Sequence, residues 1–191
     1  MFDFCELYEQ EFSNLKLDSE EVTRKSFEGC VFIDCLFNQV DFSETRFEDC
    51  EFVDCAFNLP ILNDSQLDGV KFSSCKLVGV GFDQLSAMFA SFSFESCTLE
   101  SCNFDQLQLS KTSFINSTIV ETYFSSCNLS KADFRNVTFR HGSFKSCNLQ
   151  QADFRNAQGF EIYVSQNKLA KAKFDRVNAL ELLKEFNLQI R

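Results

Sequence analysis

The chain has 191 residues, with 28 acidic against 18 basic side chains and a net charge of −10. That balance disfavours a direct binder of duplex DNA, because such proteins neutralise phosphates with Lys and Arg. Its 25 Phe, ten Cys, six Gly and single Pro, with no Trp, are unlike an ordinary globular domain, and no apolar run approaches the ~18 residues of a membrane span.

Residues 1–11 read as an N-terminal cap. The stretch MFDFCELYEQEF is acidic and too poor in apolar residues to act as a secretory signal, so the expected compartment is the reducing cytoplasm, where the cysteines stay thiols. From Phe12 every fifth residue is apolar through Phe82, which defines a first segment, 12–82. The phase then slips by two within FDQLSAMFASF, so residues 83–93 are a seam, with Met88, Phe89 and Phe92 available to pack it. A second series runs from Phe89 to Phe174, and a second segment covers 94–176. Of 33 grid positions only Gly159 is not apolar, and 20 of the 25 Phe lie on the grid, a pattern too regular for chance. In residues 177–191, NALELLKEFN predicts a short helix capped by Asn178 with Glu181 three residues on. Leu180, Leu183 and Phe186 share its apolar face, and Leu188 and Ile190 follow in an extended tail. The tail covers the last coil and is a candidate dimer contact.

A period of five keeps no face of an α-helix. The position two before the grid residue is selective: in nine copies it is Cys, as in Cys30, Cys50 and Cys127, and Ala132, Ala152, Ala172, Thr112, Ser117, Val70 and Val80 fill others. Residues two apart on an extended segment point the same way. Each five-residue unit is therefore a very short strand with one large and one small inward side chain, followed by a corner. SCNLSKADFRN at 126–136 recurs as SCNLQQADFRN at 146–156, so four units complete one lap of 20 residues. Laps then stack as parallel strands ~4.8 Å apart, giving an all-β solenoid of about eight coils with stacked Phe columns.

The units CEFVDCAF, CNLSKADF and CNLQQADF resemble those of pentapeptide-repeat proteins from Phe12 to Phe174. The resemblance implies a right-handed quadrilateral β-helix. The paired stretches CEFVDC and ADFRN, the mid-rod seam, the irregular GFEIYV and the leucine-rich tail are similar to the DNA-mimicking quinolone-resistance (Qnr-type) and antibiotic self-immunity branch. Resemblance to that branch implies a homodimer joined through the C-terminal tail. It also implies a partner, DNA gyrase or topoisomerase IV, that is protected from inhibitors.

No enzyme is legible. There is one His, His141, facing outward by register with Glu121 and Glu161 as neighbours, and no GxGxxG, GxxxxGK[ST] or HExxH. No two cysteines fall at CxxC spacing, the commonest interval being five, and they fit as small hydrophobes. No cofactor is expected.

Charge is what the exterior patterns. Residues 1–95 carry 19 acidic and 6 basic groups, net −13, while residues 96–191 carry 9 acidic and 12 basic, net +3. Acids stack by lap as Glu28, Glu48 and Asp68; Asp34 and Asp54; Glu44 and Asp64. Like charges on facing strand positions destabilise a sheet. Three such columns would give one charge per ~1.6 Å, against ~1.7 Å in duplex DNA. Eight coils make a rod of ~40 Å, and two end to end match ~24 base pairs. Lys111, Lys131 and Lys171 form a basic column, as do Arg135 and Arg155. The function expected is therefore a non-enzymatic DNA mimic that binds a type II topoisomerase, without membrane or direct DNA binding. The alternatives are a scaffolding solenoid with an unrelated protein partner, or an acidic lipid or nucleic acid on the lysine column.

Overall fold

The computed structural model describes residues 5–86 and 90–186. Its corners come from single residues in the left-handed backbone region, five apart: Glu9, Asn14, Ser19 and Arg24 have φ of 48°, 56°, 55° and 56°, and the spacing recurs as far as Lys171 with breaks between Gly79 and Ser96 and between Asn156 and Lys171. None of these corner residues is β-branched or a Phe, Tyr or Trp, because a branched Cβ clashes with the backbone at positive φ. Between corners lie three-residue strands such as Val31–Ile33 and Glu51–Val53, each with its central side chain buried.

Four such units close a lap, and about eight laps stack as a parallel β-solenoid. The four faces are identified by their central residues. Face one carries Leu7, Phe27, Phe47 and Leu67 in register. Face two carries Phe12, Phe32, Phe52, Phe72 and Phe94. Face three carries Leu17, Phe37, Phe57, Leu77 and Leu99. Face four begins with Val22, Phe42 and Leu62 and continues through Phe104, Phe124 and Phe144.

The rings stack. Along face two, Phe32 lies 4.7 Å from Phe52, Phe52 lies 5.2 Å from Phe72, and the ladder continues to Phe174 through Phe114 and Phe134 at 4.9 Å. Neighbouring faces meet edge-on, as Phe114 and Phe124 do at 5.6 Å and 88°. Each such pair contributes ~0.5–1.5 kcal/mol beyond area burial, so laps are held by their neighbours.

Several expectations need correction. Residues 6–8, read as cap, form a strand paired with Ser26–Glu28, because Leu7 already fills the inward column. At the seam, strand Gln66–Ser73 runs past a corner and pairs with Ala90–Glu95 through a register shift between Leu67 and Val70. Phe92 and Leu85 are buried there, and Phe92 stacks on Phe82 at 5.1 Å. Met88 and Phe89 lie outside the described residues. Just before the seam, Leu62, Leu67 and Leu77 replace Phe and leave a cavity of about 20 Å³ lined only by apolar side chains, which has no polar partners to hold a water.

Near the C-terminus Gly159 does not leave its column empty. Phe160 takes that place, packed on Phe139, Phe154 and Phe174. Gly159 has φ of +72°, and a Cβ there would strike the Phe139 carbonyl. Ile162, not Val164, pairs with Phe144, and a 3₁₀ turn at Val164–Gln166 restores the register. The helix α1 spans Arg176–Glu181 and its cap is Asp175, not Asn178. Asp175 accepts from the Asn178 N–H at 3.0 Å, and Asn178 is buried because its amide donates to the Ala157 carbonyl. Leu182, rather than Leu180, packs on the core. Leu180 and Phe186 are half exposed and Leu183 is half-buried. Leu188 and Ile190 lie outside the described residues.

Candidate interaction surface

The interior is lined by buried thiols. Where the residue two before a centre is Cys, Ser, Thr or Asn, its side chain ties the corner to the lap below. Cys55 Sγ donates to the Phe32 carbonyl at 3.3 Å and accepts from the Cys35 N–H at 3.4 Å. Cys75 and Cys97 repeat the pattern, and Ser65 donates to the Phe42 carbonyl at 2.8 Å. Asn167 serves the same position for the last lap. Burial pushes the Cys50 and Cys102 thiols up to about 12, so they are protonated and unreactive near neutrality. The reading of these cysteines as mere small hydrophobes missed this bonding. The signal was present in the sequence, since Ser, Thr and Asn substitute there.

Outside, the acid columns form as spaced. Glu28, Glu48 and Asp68 sit in register on three adjacent strands of face one. Glu44 and Asp64 occupy the corner leading into that face, with φ of 58° and 55°. Asp34 and Asp54 occupy the corner after face two, with φ of 53° and 52°, diagonally across the four-sided lap. Two columns thus flank one face and the third points elsewhere, so the density of three columns on one surface does not arise. Countercharges are sparse. Arg46 meets the half-buried Glu48 at 2.5 Å and Arg24 meets Glu44 at 3.0 Å, the other three side chains being exposed, and such exposed pairs contribute little.

Other outward columns show how the same fold behaves when amides fill most of a column. Asn38 donates to Asp18 at 2.7 Å and Asn58 to Asn38 at 2.6 Å. Asn136 and Asn156 extend a ladder from Asn116, and Asn128 and Asn148 one from Gln108. Amide ladders satisfy one lap with the next, whereas the carboxylates of face one repel.

The corner after face one changes sign along the rod. In the first half it carries Glu9, Gly29, Asp49 and Gly69. In the second it carries Ser91, Lys111, Lys131, Gln151 and Lys171, the last four at φ between 61° and 69°. Arg135 and Arg155, expected as a second basic column, instead fold back on Asp133 and Asp153 at 2.6 and 2.7 Å. The Arg155 guanidinium holds the Asp153 carboxyl below its ordinary range. Partial burial would raise Asp133, but the Arg135 hydrogen bonds outweigh it and the group is lowered. His141 is exposed, and among the described residues no ion pair joins it to Glu121 or Glu161. No helix is long and apolar enough to cross a membrane among the described residues.

At the C-terminal end, Glu185 accepts from the backbone N–H groups of Val164 and Ser165 and so clamps the tail to the irregular lap; the Ser165 side chain, with these N–H groups, holds its carboxyl below the ordinary value. Val177, Leu180 and Phe186 remain exposed at 71%, 49% and 51%.

Comparison with known proteins agrees with this architecture. A family profile described as "Pentapeptide repeat region" matches residues 5–82 and 87–145. No curated protein matches the chain by sequence. Among solved structures, a trypsin-treated variant of QnrB1, a plasmid-mediated fluoroquinolone resistance protein, is similar at TM-score 0.70 and 18% identity, over 94% of this chain and 99% of that one. A second trypsin-treated QnrB1 variant is similar at TM-score 0.59 and 20% identity, over 95% of this chain and 100% of that one. At these identities the likeness is one of fold.

Proposed function

Because the chain belongs to the pentapeptide-repeat family, we propose that it is a non-enzymatic protein that presents face one to the DNA-binding surface of a type II topoisomerase, DNA gyrase or topoisomerase IV, and modulates inhibitor action there. The observation that carries the reading is the in-register column Glu28–Glu48–Asp68 with Glu44 and Asp64 at its flank. The fold does not need this column, since amide ladders serve elsewhere. With two columns on one face, the charge spacing becomes one per ~2.4 Å, sparser than the ~1.7 Å of duplex DNA but of the same order. Such a face attracts a basic cleft over a distance and loses that attraction as salt rises.

The exposed Val177, Leu180 and Phe186 support an end-to-end homodimer through the tail, which would double the length of the charged rod. A supercoiling assay with and without a quinolone tests the function. The expected result is inhibition of supercoiling or protection from the drug at micromolar protein, and neither effect would end the reading. A second reading, a scaffold binding an acidic protein, is favoured by the exposed Lys111, Lys131 and Lys171. Charge reversal of Glu28, Glu48 and Asp68 separates the two: only the first reading loses its partner.

A further inference from the structure

The edge between faces one and two holds opposite charge in its two halves, and the order of those charges is symmetric about its midpoint. Counted in rungs from the N-terminus, Glu9 is first and Asp49 third, with the lysines Lys111, Lys131 and Lys171 on the sixth, seventh and ninth. The fifth, central rung is Ser91, exposed at the seam between Gly69 and Lys111. The second and fourth, at Gly29 and Gly69, have Glu28 and Asp68 beside the edge, and the eighth is the neutral Gln151.

We propose that two copies of this chain associate side by side and antiparallel along this edge, about a two-fold axis through Ser91. A rotation there sets rung one against rung nine, three against seven and four against six. Glu9 then meets Lys171, Asp49 meets Lys131 and Asp68 meets Lys111, each twice. On the second and eighth rungs Glu28, beside Gly29, faces the neutral amide of Gln151. Rungs are ~4.8 Å apart in both copies, so the register of one pair fixes the others, and an isologous contact closes on itself. Among the described residues none of Glu9, Asp49, Lys111, Lys131 and Lys171 is in an ion pair within the chain, so nothing in the monomer competes. Gly69 adds room: the Asp49 carboxylate lies over it, where a Cβ would intrude.

Exposed pairs are individually weak, so the association is low in affinity, rapidly exchanging and salt-sensitive. It differs from the apolar end-to-end contact in all three respects. It also covers Asp68 and the Glu48 side of face one until a more basic partner displaces the second copy.

The test is sedimentation velocity of the full chain carrying Leu180→Asp and Phe186→Asp, which removes the end-to-end contact, at about 0.02 M and about 0.5 M salt. Self-association is expected only at low salt. Asp49→Lys alone and Lys131→Asp alone each set like charges together and weaken it about tenfold or more. Mixing those two variants restores it, because the two substituted positions then face each other as an ion pair of exchanged sign. The unsubstituted Asp49 and Lys131 of the same mixed dimer keep their native contact. Both are exposed corner positions at which Asp and Lys already occur, and circular dichroism verifies folding. Absence of low-salt association in the parent, or a mixture no more associated than its components, would overturn the proposal, whatever the outcome of the topoisomerase assay.

Discussion

Glu28 and Glu48 face each other in register on neighbouring parallel strands, and Asp68 continues the row. Facing like charges cost a sheet ~0.2–1 kcal/mol per pair. Glu28→Gln with Asp68→Asn is therefore expected to raise the midpoint of urea unfolding while weakening capture of topoisomerase. Removing charge would lower stability instead if the column were structural.

Phe114 stacks on Phe94 at 5.3 Å and Phe134 at 4.9 Å and is fully buried. Phe114→Ala should cost ~3–5 kcal/mol, read by chemical denaturation. Leu62→Ala, beside the existing cavity, should cost less than the ~5 kcal/mol upper end of Leu→Ala changes.

Gly159→Ala is expected to destabilise by ~1–2 kcal/mol or more, since the residue sits at φ +72° and left-handed backbone disfavours a Cβ. The Phe139 carbonyl also occupies the space a Cβ needs. Gln151→Ala, at a corner of φ 61° without that obstruction, is the control, and thermal unfolding compares the two.

Thiol accessibility follows the lap pattern. Of ten cysteines, nine are buried and Cys5 is exposed. An aromatic disulfide reagent at mildly alkaline pH should modify one thiol quickly in the native chain and all ten after denaturation. Rapid native reaction of several would contradict the tight corner bonding.

Acid should loosen the C-terminal end. The folded carboxyls of Asp153, Asp175 and Glu185 are all lowered, by the Arg155 bonds, by the Asn178 and Asn156 backbone N–H groups, and by Ser165 and Val164 respectively. A carboxyl lowered on folding stabilises above its unfolded value, ~4, and that contribution is lost as pH falls through the folded value. Hydrogen exchange should rise first in residues 156–186 below about pH 4, and Asp175→Asn should remove part of the change.

How much was legible in the sequence follows from which atoms a period can report. A five-residue repeat fixes inward and outward positions, so Phe52 between Phe32 and Phe72 was readable. It does not report where a lap shortens. At Phe160 and Ile162 the chain drops two residues from one lap and restores them at Val164–Gln166, which a fixed grid assigns to Gly159 and Val164. Column membership was readable for the acids, but not which columns share a face, because that depends on following the chain around the corners. Arg135 and Arg155 looked like a free basic column, since spacing alone does not reveal the bidentate grip on Asp133 and Asp153. Asn178 has the right residue type for a cap, yet Asp175 is where the last lap ends.

The most direct test of the central proposal is competition on the enzyme itself. Labelled duplex DNA bound to gyrase or topoisomerase IV is titrated with the protein and followed by fluorescence anisotropy. Displacement of the DNA, weakened by added salt and abolished by charge reversal at Glu28, Glu48 and Asp68, is the predicted result. Simultaneous binding of protein and DNA, or displacement unchanged by the reversal, would contradict it.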